Sequence, residues 1–358
     1  MFKLLLSFLL TACLSACDLF HTDFNDEEPA KLYQAKLLSD QSTPIMPIRV
    51  MNWNIKFAGA RLDFFFDCLG DEVLMPKAIV LANLKQIADA INNISPDILL
   101  AQEVDVLSKR SAYVDQVQWI LDHTDLNYAA YASQWKADFI PSDGVGRVNS
   151  GNVIFSRWPI IQATRYALAP ISDQDALTRY FYLKRNYIDA VIKPTGATSI
   201  HVVNIHTTAY AQDNTQKKQL DQLLNALIEL DNQAQTFIAG GDFNQLPAGS
   251  SQTSAFADNV CKDEYVADDF STQTTWLDGF YANFSPAISL TDYQLDNTLY
   301  FTHSVDKNVF WNRKIDYLFT NTNFEAASAQ VYQNMANGGL QTMNLSDHAP
   351  MAASWSWP

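Results

Sequence analysis

Acidic, amide and imidazole side chains recur in this chain where apolar runs end or begin. They are Asn54, Glu103, His206, Asp242, Asn244, Asp347 and His348. A single Asp or Asn in such a place is usually a turn residue, so the prediction rests on the set. Carboxylate and amide oxygens suit Mg²⁺ or Mn²⁺, and Mg²⁺ keeps bound water and leaves room for a phosphate. The set therefore predicts a hard-cation site with histidines beside it.

The elements that must position these side chains follow from hydrophobic periodicity. Apolar residues at helical spacing predict helices over 78–94 and 216–231. Short β-rich runs predict strands over 48–55, 97–103, 153–156, 187–192, 199–205, 235–241, 315–320 and 351–357. Interleaved strands and helices predict a layered α/β or α+β fold, in which ligands collect at the carboxyl ends of strands. The alternation is unbroken, so we expect one domain over 48–358.

Composition excludes several classes of protein. The 358 residues are 48% hydrophobic and 18% charged, which is incompatible with a disordered chain. Only 12 are glycine, which excludes collagen-like sequences. The net charge of −15, from 24 Lys and Arg against 39 Asp and Glu, disfavours tight non-specific binding to duplex nucleic acid.

The first residues are typical of an export signal. A lysine at position 3 precedes an apolar run over 4–10, which is too short to span a bilayer. The run LSAC at 14–17 resembles a bacterial lipobox, with an ordinary secretory signal cut nearby as the alternative. We expect a signal peptide over 1–16, lipidation of Cys17, and an anchor and tether over 17–47. Asp18 favours retention at the inner membrane, facing the periplasm.

Two cysteines, Cys68 and Cys261, remain in the exported domain. An oxidising compartment permits them to pair, but their sequence positions alone leave pairing open. Neither has Cys or His at zinc-ligand spacing. We expect a monomer.

Seven short motifs carry a family resemblance. They are NWNI at 52–55, QE at 102–103, SGN at 150–152, NIH at 204–206, GDFN at 241–244, IDY at 315–317 and SDH at 346–348. In order and spacing they resemble the endonuclease/exonuclease/phosphatase superfamily, the DNase-I-like group. The segments WKADF (135–139) and LKR (183–185) resemble uncharacterised bacterial members. The resemblance extends from residue 48 to the C-terminus. It implies a four-layer sandwich of two mixed β-sheets flanked by helices, and metal-assisted phosphoester hydrolysis by in-line attack of water.

The resemblance also implies roles for the acidic and amide residues. Glu103 and Asn54 would hold Mg²⁺ or Mn²⁺, and Asp347 would add a ligand. Asp242 would orient or deprotonate the attacking water, while Asn244 would hold a phosphate oxygen.

The histidines would flank the scissile phosphate. His206 and His348 would divide proton donation and stabilisation between them, and Asp316 would fix the tautomer of His348. The division stays open, because a further carboxylate that pairs with the first histidine in DNase-type members has no identified equivalent here. Asn152 and Arg147 would contact the substrate.

Other candidates have ordinary structural explanations. Histidines at 21, 123, 201 and 303 are interpreted as structural, and Phe64–Phe66 as core residues or as a contact for acyl chains. Lysines at 56, 136 and 184 and Arg185 would contact phosphate or solvate the surface.

Three functions remain. We expect a phosphoesterase that acts on lipid head groups or small phosphoesters at the cell envelope. A DNA or RNA endonuclease is the alternative, which the net charge disfavours. A non-catalytic binding lipoprotein on the same fold is a remote third alternative, since none of the metal-ligand or histidine positions of the family's motifs is lost in this sequence. Both monoester and diester chemistry fit the motifs.

Overall fold

The computed structural model describes residues 18–65, 70–209, 213–258 and 268–357. Two seven-stranded sheets form its centre. The strands are β1 (Glu27–Pro29), β2 (Lys31–Gln34), β3 (Ile48–Asn54), β4 (Ile98–Asp105), β5 (Tyr128–Ile140), β6 (Gly146–Ser156), β7 (Ile160–Ala167), β8 (Asn186–Ile192), β9 (Ile200–His206), β10 (Phe237–Asp242), β11 (Ser285–Pro286), β12 (Asp316–Thr320), β13 (Gln330–Val331) and β14 (Met351–Trp355).

Both sheets mix parallel and antiparallel pairs. The first sheet has the order β1-β7-β8-β9-β10-β12-β11 and the second β13-β14-β3-β4-β6-β5-β2. The parallel pairs are β9 with β10 and β3 with β4. The helices are α1 (Lys77–Ile94), α2 (Gln116–Leu121), α3 (Ala176–Phe181), α4 (Thr215–Asn232), α5 (Asp278–Asn283) and α6 (Leu290–Leu295). The two long helices lie within one residue of their predicted bounds.

Three apolar cores separate four layers. The central core joins the inner faces of the sheets, with Val50 and Leu100 from one and Val202 from the other. Helices α1 and α2 cover the outer face of the second sheet, and α4 and α5 cover that of the first. Helix α1 ends where Ser95 takes a left-handed conformation before a proline that cannot continue the helix. This is the predicted DNase-I-like sandwich.

The inner face of several strands turns polar at one end. Side chains alternate between faces along a strand, so Asn52 and Asn54 share the face of Val50 on β3. Gln102 follows Leu100 in the same way on β4. These polar positions meet at one end of the inter-sheet core, so the fold assembles there the residues singled out by the sequence.

Residues 18–47 differ from the predicted tether. Strand β1 pairs with β7 at the edge of the first sheet, and β2 pairs with β5 at the edge of the second. The segment thus extends both sheets, because each outer strand offers unpaired backbone groups to an adjacent polar chain. Cys17, Cys68 and Cys261 lie outside the described residues. None of the helices in the described ranges is long and apolar enough to cross a membrane.

Candidate active site

Asp242 stands at the centre of a group of imidazoles and carboxylates. Strand register places it beside His206 on β9 and beside Asp316 on β12. Its Oδ2 atom lies 3.4 Å from Nε2 of His206 and 3.5 Å from Nε2 of His348. All four side chains are buried. Two imidazoles therefore face one carboxylate oxygen, as an acid and a base flanking a reacting group must.

Asp316 orients His348 through a hydrogen bond to the Nδ1 atom of its imidazole. Nδ1 of the imidazole donates to Oδ2 of Asp316 at 2.8 Å, and the Asn52 amide donates to Oδ1 at 3.1 Å. Burial alone would lower the pKa of His348, but the carboxylates of Asp316 and Asp242 outweigh it and raise that pKa to about 10. The contact places the second imidazole nitrogen, Nε2, toward Asp242, as the base-orienting contact of a triad does.

His206 has the opposite electrostatic environment. Burial, the Arg185 guanidinium and the nearby His348 hold the pKa of His206 well below its ordinary value. Burial also raises the pKa of Asp242 to about 7, despite the attraction of His348 and hydrogen bonds from Asn54 and Asn244. One imidazole thus favours its neutral form and the other its charged form.

A second carboxylate group lies beside the histidines. Glu103 takes a positive φ of 56° at a register shift in β4, where the chain bulges against β6. The Asn54 amide donates to its Oε1 at 3.1 Å. Burial, reinforced by the negative charge of Asp347, raises the pKa of Glu103. Lys56 lies 3.3 Å from Asp347.

These residues fit a hard divalent cation. Two partly buried carboxylates that repel each other gain from a nearby cation, and oxygen ligands suit Mg²⁺ or Mn²⁺. Glu103 and Asp347 would hold the cation, which when bound neutralises charge developing on a phosphate. Asn54 is oriented differently from the predicted ligand: its Oδ1 accepts the Lys56 backbone N–H at 3.0 Å, and its Nδ2 faces the carboxylates.

His303, interpreted from the sequence as structural, also lies at the site. Its ring centroid is 4.5 Å from that of His348. With Asp347 and His348 it forms a group whose ligand atoms all lie within 4.8 Å of one another. Burial, with the charges of His348 and Arg313, holds the pKa of His303 well below its ordinary value. Nothing in the single sequence separates this histidine from the structural ones.

A cavity of about 560 Å³ opens over these groups. Cations and aromatic rings line it, including Lys56, Arg110, Arg185, Arg313, Phe57, Phe64, Trp135, Tyr182 and Phe270. Phe64 is buried, as its interpretation as a core residue requires, while Phe66 lies outside the described residues. Asn244 reaches the cavity from the turn after β10, where its amide donates to the Thr207 carbonyl at 3.1 Å.

Two predicted substrate contacts lie elsewhere. Arg147 faces Asp138 at 3.0 Å on the neighbouring strand and is half exposed, away from the residues that line the cavity. Asn152 is buried and does not line the cavity, and its amide donates to the Asn186 carbonyl at 3.1 Å. Both residues stand on β6, whose register sets these partners. Two other cations, Arg110 and Arg313 from loops, line the cavity wall and were not among the residues predicted from the sequence.

A sequence profile of the endonuclease/exonuclease/phosphatase family matches residues 51–348. The chain belongs to this family. No curated protein matches the full sequence. The family assignment explains why Glu103, His206, Asp242 and His348, which lie far apart in the sequence, meet at one end of two sheets.

Solved family structures share the fold. An endonuclease/exonuclease/phosphatase from Beutenbergia cavernae is 16% identical, with 87% of this chain and 71% of that chain covered and a TM-score of 0.55. The catalytic domain of human nocturnin is 16% identical, with 92% and 98% covered and a TM-score of 0.51. A mannosyl-6-phosphatase from Bacteroides thetaiotaomicron is 14% identical, with 86% and 98% covered and a TM-score of 0.50. At these identities the likeness establishes the architecture alone.

Proposed function

We propose that this chain is a divalent-metal-dependent phosphoesterase that hydrolyses small or lipid head-group phosphoesters at the bacterial cell envelope. The observation that carries the proposal is the pair of imidazoles around Asp242, at 3.4 and 3.5 Å, beside the Glu103–Asp347 carboxylates. Family membership makes phosphoester hydrolysis the expected chemistry. The metal, the substrate and the location are the parts that we propose.

The contacts of each residue suggest its role in hydrolysis. Asp242 would orient or deprotonate the attacking water, since its carboxylate is the group that both imidazoles face. His206 and His348 would flank the phosphate. The Nε2 atom of each imidazole would give a proton to, or take one from, an oxygen of the reacting group. The Asn244 amide would contact a phosphate oxygen from the cavity wall. Asp316 would act through His348 as a positioning residue.

The shape and charge of the cavity favour a small phosphoester over a nucleic acid strand. About 560 Å³ accommodates one phosphate and a modest alcohol group. The apolar wall includes Trp135 and Leu183, which suit an organic or lipid moiety beside the phosphate. A strand of nucleic acid needs several phosphates neutralised along a groove, and a net charge of −15 opposes this.

The enzyme assay uses the full chain purified in detergent with Mg²⁺. The substrates are p-nitrophenyl phosphate, bis-p-nitrophenyl phosphate, glycerophosphodiesters, phospholipid vesicles and plasmid DNA. We expect turnover of a mono- or diester that EDTA abolishes and added Mg²⁺ or Mn²⁺ restores. His206→Ala should abolish turnover, whereas His201→Ala, on the other face of the same strand, should retain it.

Two outcomes would overturn the proposal. Plasmid nicking that exceeds turnover of every small or lipid phosphoester would make the protein a nuclease. Activity that persists after metal removal and metal-free dialysis would refute the proposed dependence on a divalent cation.

The proposed envelope location rests on the N-terminal sequence. The run ending in Cys17 resembles a lipobox, and Asp18 follows it directly. Lipidation predicts that radiolabelled palmitate enters the wild-type chain and that Cys17→Ser abolishes the labelling and releases the protein from the membrane fraction. Labelling that survives the substitution would refute this assignment.

A further inference from the structure

The first described residues are fixed to the domain close to the cavity. The Asp18 carboxylate accepts the backbone N–H of Thr22 at 2.9 Å, that of Asp23 at 2.8 Å, and the Tyr180 hydroxyl at 2.7 Å. The Phe20 backbone N–H donates to the same Tyr180 oxygen at 3.0 Å. Tyr180 belongs to α3, so the chain is attached to this helix from its first described residue.

Aromatic packing strengthens that attachment. The Phe20 ring lies 5.7 Å from Phe181 at the end of α3 and 6.4 Å from Phe139 at the end of β5. The Asp138 backbone N–H donates to the Phe20 carbonyl at 2.8 Å. Helix α3, the end of β5 and residues 18–21 therefore form one structural unit.

This unit exposes large apolar side chains. Leu19 is 63% exposed, Phe139 is 52% exposed and Leu177 is 69% exposed. Leu177 and Phe181 lie four residues apart and so share one face of α3. No residue of α3 is fully buried, and Phe181 alone of its residues packs, partly buried, against the apolar core of the second sheet. We call Leu19, Phe139 and Leu177 the docking surface.

The same unit forms part of the cavity wall. The Trp135 indole donates to the Phe181 carbonyl at 2.8 Å, and Trp135 lines the cavity. Tyr182 and Leu183, which directly follow α3, line it too. Phe139 lies four residues along the chain from Trp135, and Leu177 lies five residues from Tyr182, so the docking surface is joined to the cavity wall by short stretches of chain.

The course of the chain before Leu19 bears on which partner this surface could meet. A flexible tether over 18–47 would reach about 100 Å, at about 3.4 Å per residue. Residues 18–47 instead pack on the domain, and Cys17 is one peptide unit, about 3.8 Å, from Asp18. An acyl chain on Cys17, or an uncleaved apolar segment ending there, would bring the bilayer directly to Leu19.

We propose that the docking surface of Leu19, Phe139 and Leu177 inserts into a phospholipid bilayer and holds the cavity mouth at the level of the head groups. The inference rests on the proposed envelope phosphoesterase and deepens it, since it names phospholipid in the same leaflet as the substrate class. Apolar side chains at the head-group boundary would add buried apolar area, and therefore affinity, to a lipid anchor on Cys17.

The test is photocrosslinking of the full chain reconstituted in vesicles of phosphatidylethanolamine and phosphatidylglycerol. A benzophenone amino acid replaces Phe139, Leu177 or, as the matched control, Met335. Met335 is 71% exposed and follows β13, at the opposite edge of the sheet from β2. We expect lipid adducts by mass spectrometry from the two docking positions and none above background from the control.

The outcomes separate docking from catalysis. Equal lipid labelling at all three positions, no labelling at the docking positions, or crosslinks between copies of the chain would each overturn the docking proposal. A second readout is the double variant Phe139→Glu and Leu177→Glu, which should lose turnover of vesicle lipid while keeping turnover of a soluble phosphoester. Lipid adducts on a protein that turns over no phosphoester would refute the proposed function and support docking.

Discussion

Replacing Asp316 by Asn removes the charge behind His348 at almost constant volume. Asp316 accepts two hydrogen bonds through different oxygens, one from His348 at 2.8 Å and one from the Asn52 amide at 3.1 Å. An Asn side chain has one acceptor oxygen and one donor group, so it cannot accept both. Either the imidazole or the Asn52 amide then faces an N–H group inside a buried site.

The size of the effect follows from that mismatch. A hydrogen bond to a charged group contributes about 1.5–3 kcal/mol, which corresponds to about 10- to 100-fold in rate when the bond orients a reacting group. An imidazole held in the wrong tautomer costs more, and in the serine-protease triad the corresponding substitution lowers kcat about 10⁴-fold. We expect Asp316→Asn to lower kcat by between about 10²- and 10⁴-fold, with KM changed less than about threefold.

The assay compares steady-state kinetics with thermal unfolding for two matched variants. Asp189→Asn is the control, because Asp189 contacts Nδ1 of His201 at 2.9 Å with the same chemistry. That pair lies on the other face of the first sheet, so its loss should leave kcat unchanged. A kcat within threefold of wild type for a folded Asp316→Asn protein would refute the positioning role, as would an equal loss in the control.

Three further predictions concern stability. Asp189 raises the pKa of His201 above its ordinary 6.5, so their contact stabilises the fold fully below pH 6.5 and loses its effect as pH rises through the folded-state pKa; chemical denaturation of wild type and Asp189→Asn should differ at pH 5.5 and converge at high pH. Asp258→Ala should lower the free energy of unfolding in urea by about 3–5 kcal/mol, because it removes the carboxylate 3.1 Å from the buried Arg313 and leaves only the 3.6 Å contact with Asp268; an unchanged free energy of unfolding would contradict this. Gly241→Ala should sharply reduce soluble expression, because φ is 141° there and a Cβ would lie 2.0 Å from a backbone oxygen of β9; wild-type yield and melting temperature would contradict this.

Hydrophobic periodicity predicts the parts of the fold whose burial leaves a clear pattern. Strands β9, β10 and β12 are largely apolar because both of their faces are covered, and the predicted bounds lie within two residues of those observed. Helix α4 shows an apolar stripe through Leu220 and Leu223 because one face packs on a sheet.

Other strands leave no such pattern. Strand β5 is 13 residues long but rich in alanine and interrupted by polar residues, and Ile140 at its end is its only β-branched side chain. Strands β1 and β2 are short, polar edge strands whose pairing partners lie about a hundred residues or more away. Their stability comes from tertiary pairing, which no local window of sequence contains.

The candidate site divides in the same way. Asp242 and His206 were predictable because each ends a strand, and neighbouring strands bring their ends together. Arg110 and Arg313 reach the cavity from loops, where no periodicity fixes direction.

Their charges also show why net charge describes this cavity poorly. Arg110 pairs with Asp105 at 2.8 Å, Arg313 with Asp258 at 3.1 Å and Lys56 with Asp347 at 3.3 Å. Cations matched by buried carboxylates can polarise one bound phosphate at short range, yet they present no surplus positive charge to a long phosphate chain. An acidic protein thus retains a site suited to a single phosphoester. Lys56→Ala should lower the rate of phosphoester hydrolysis, while the affinity for nucleic acid, measured by filter binding, should stay as low as in the wild type.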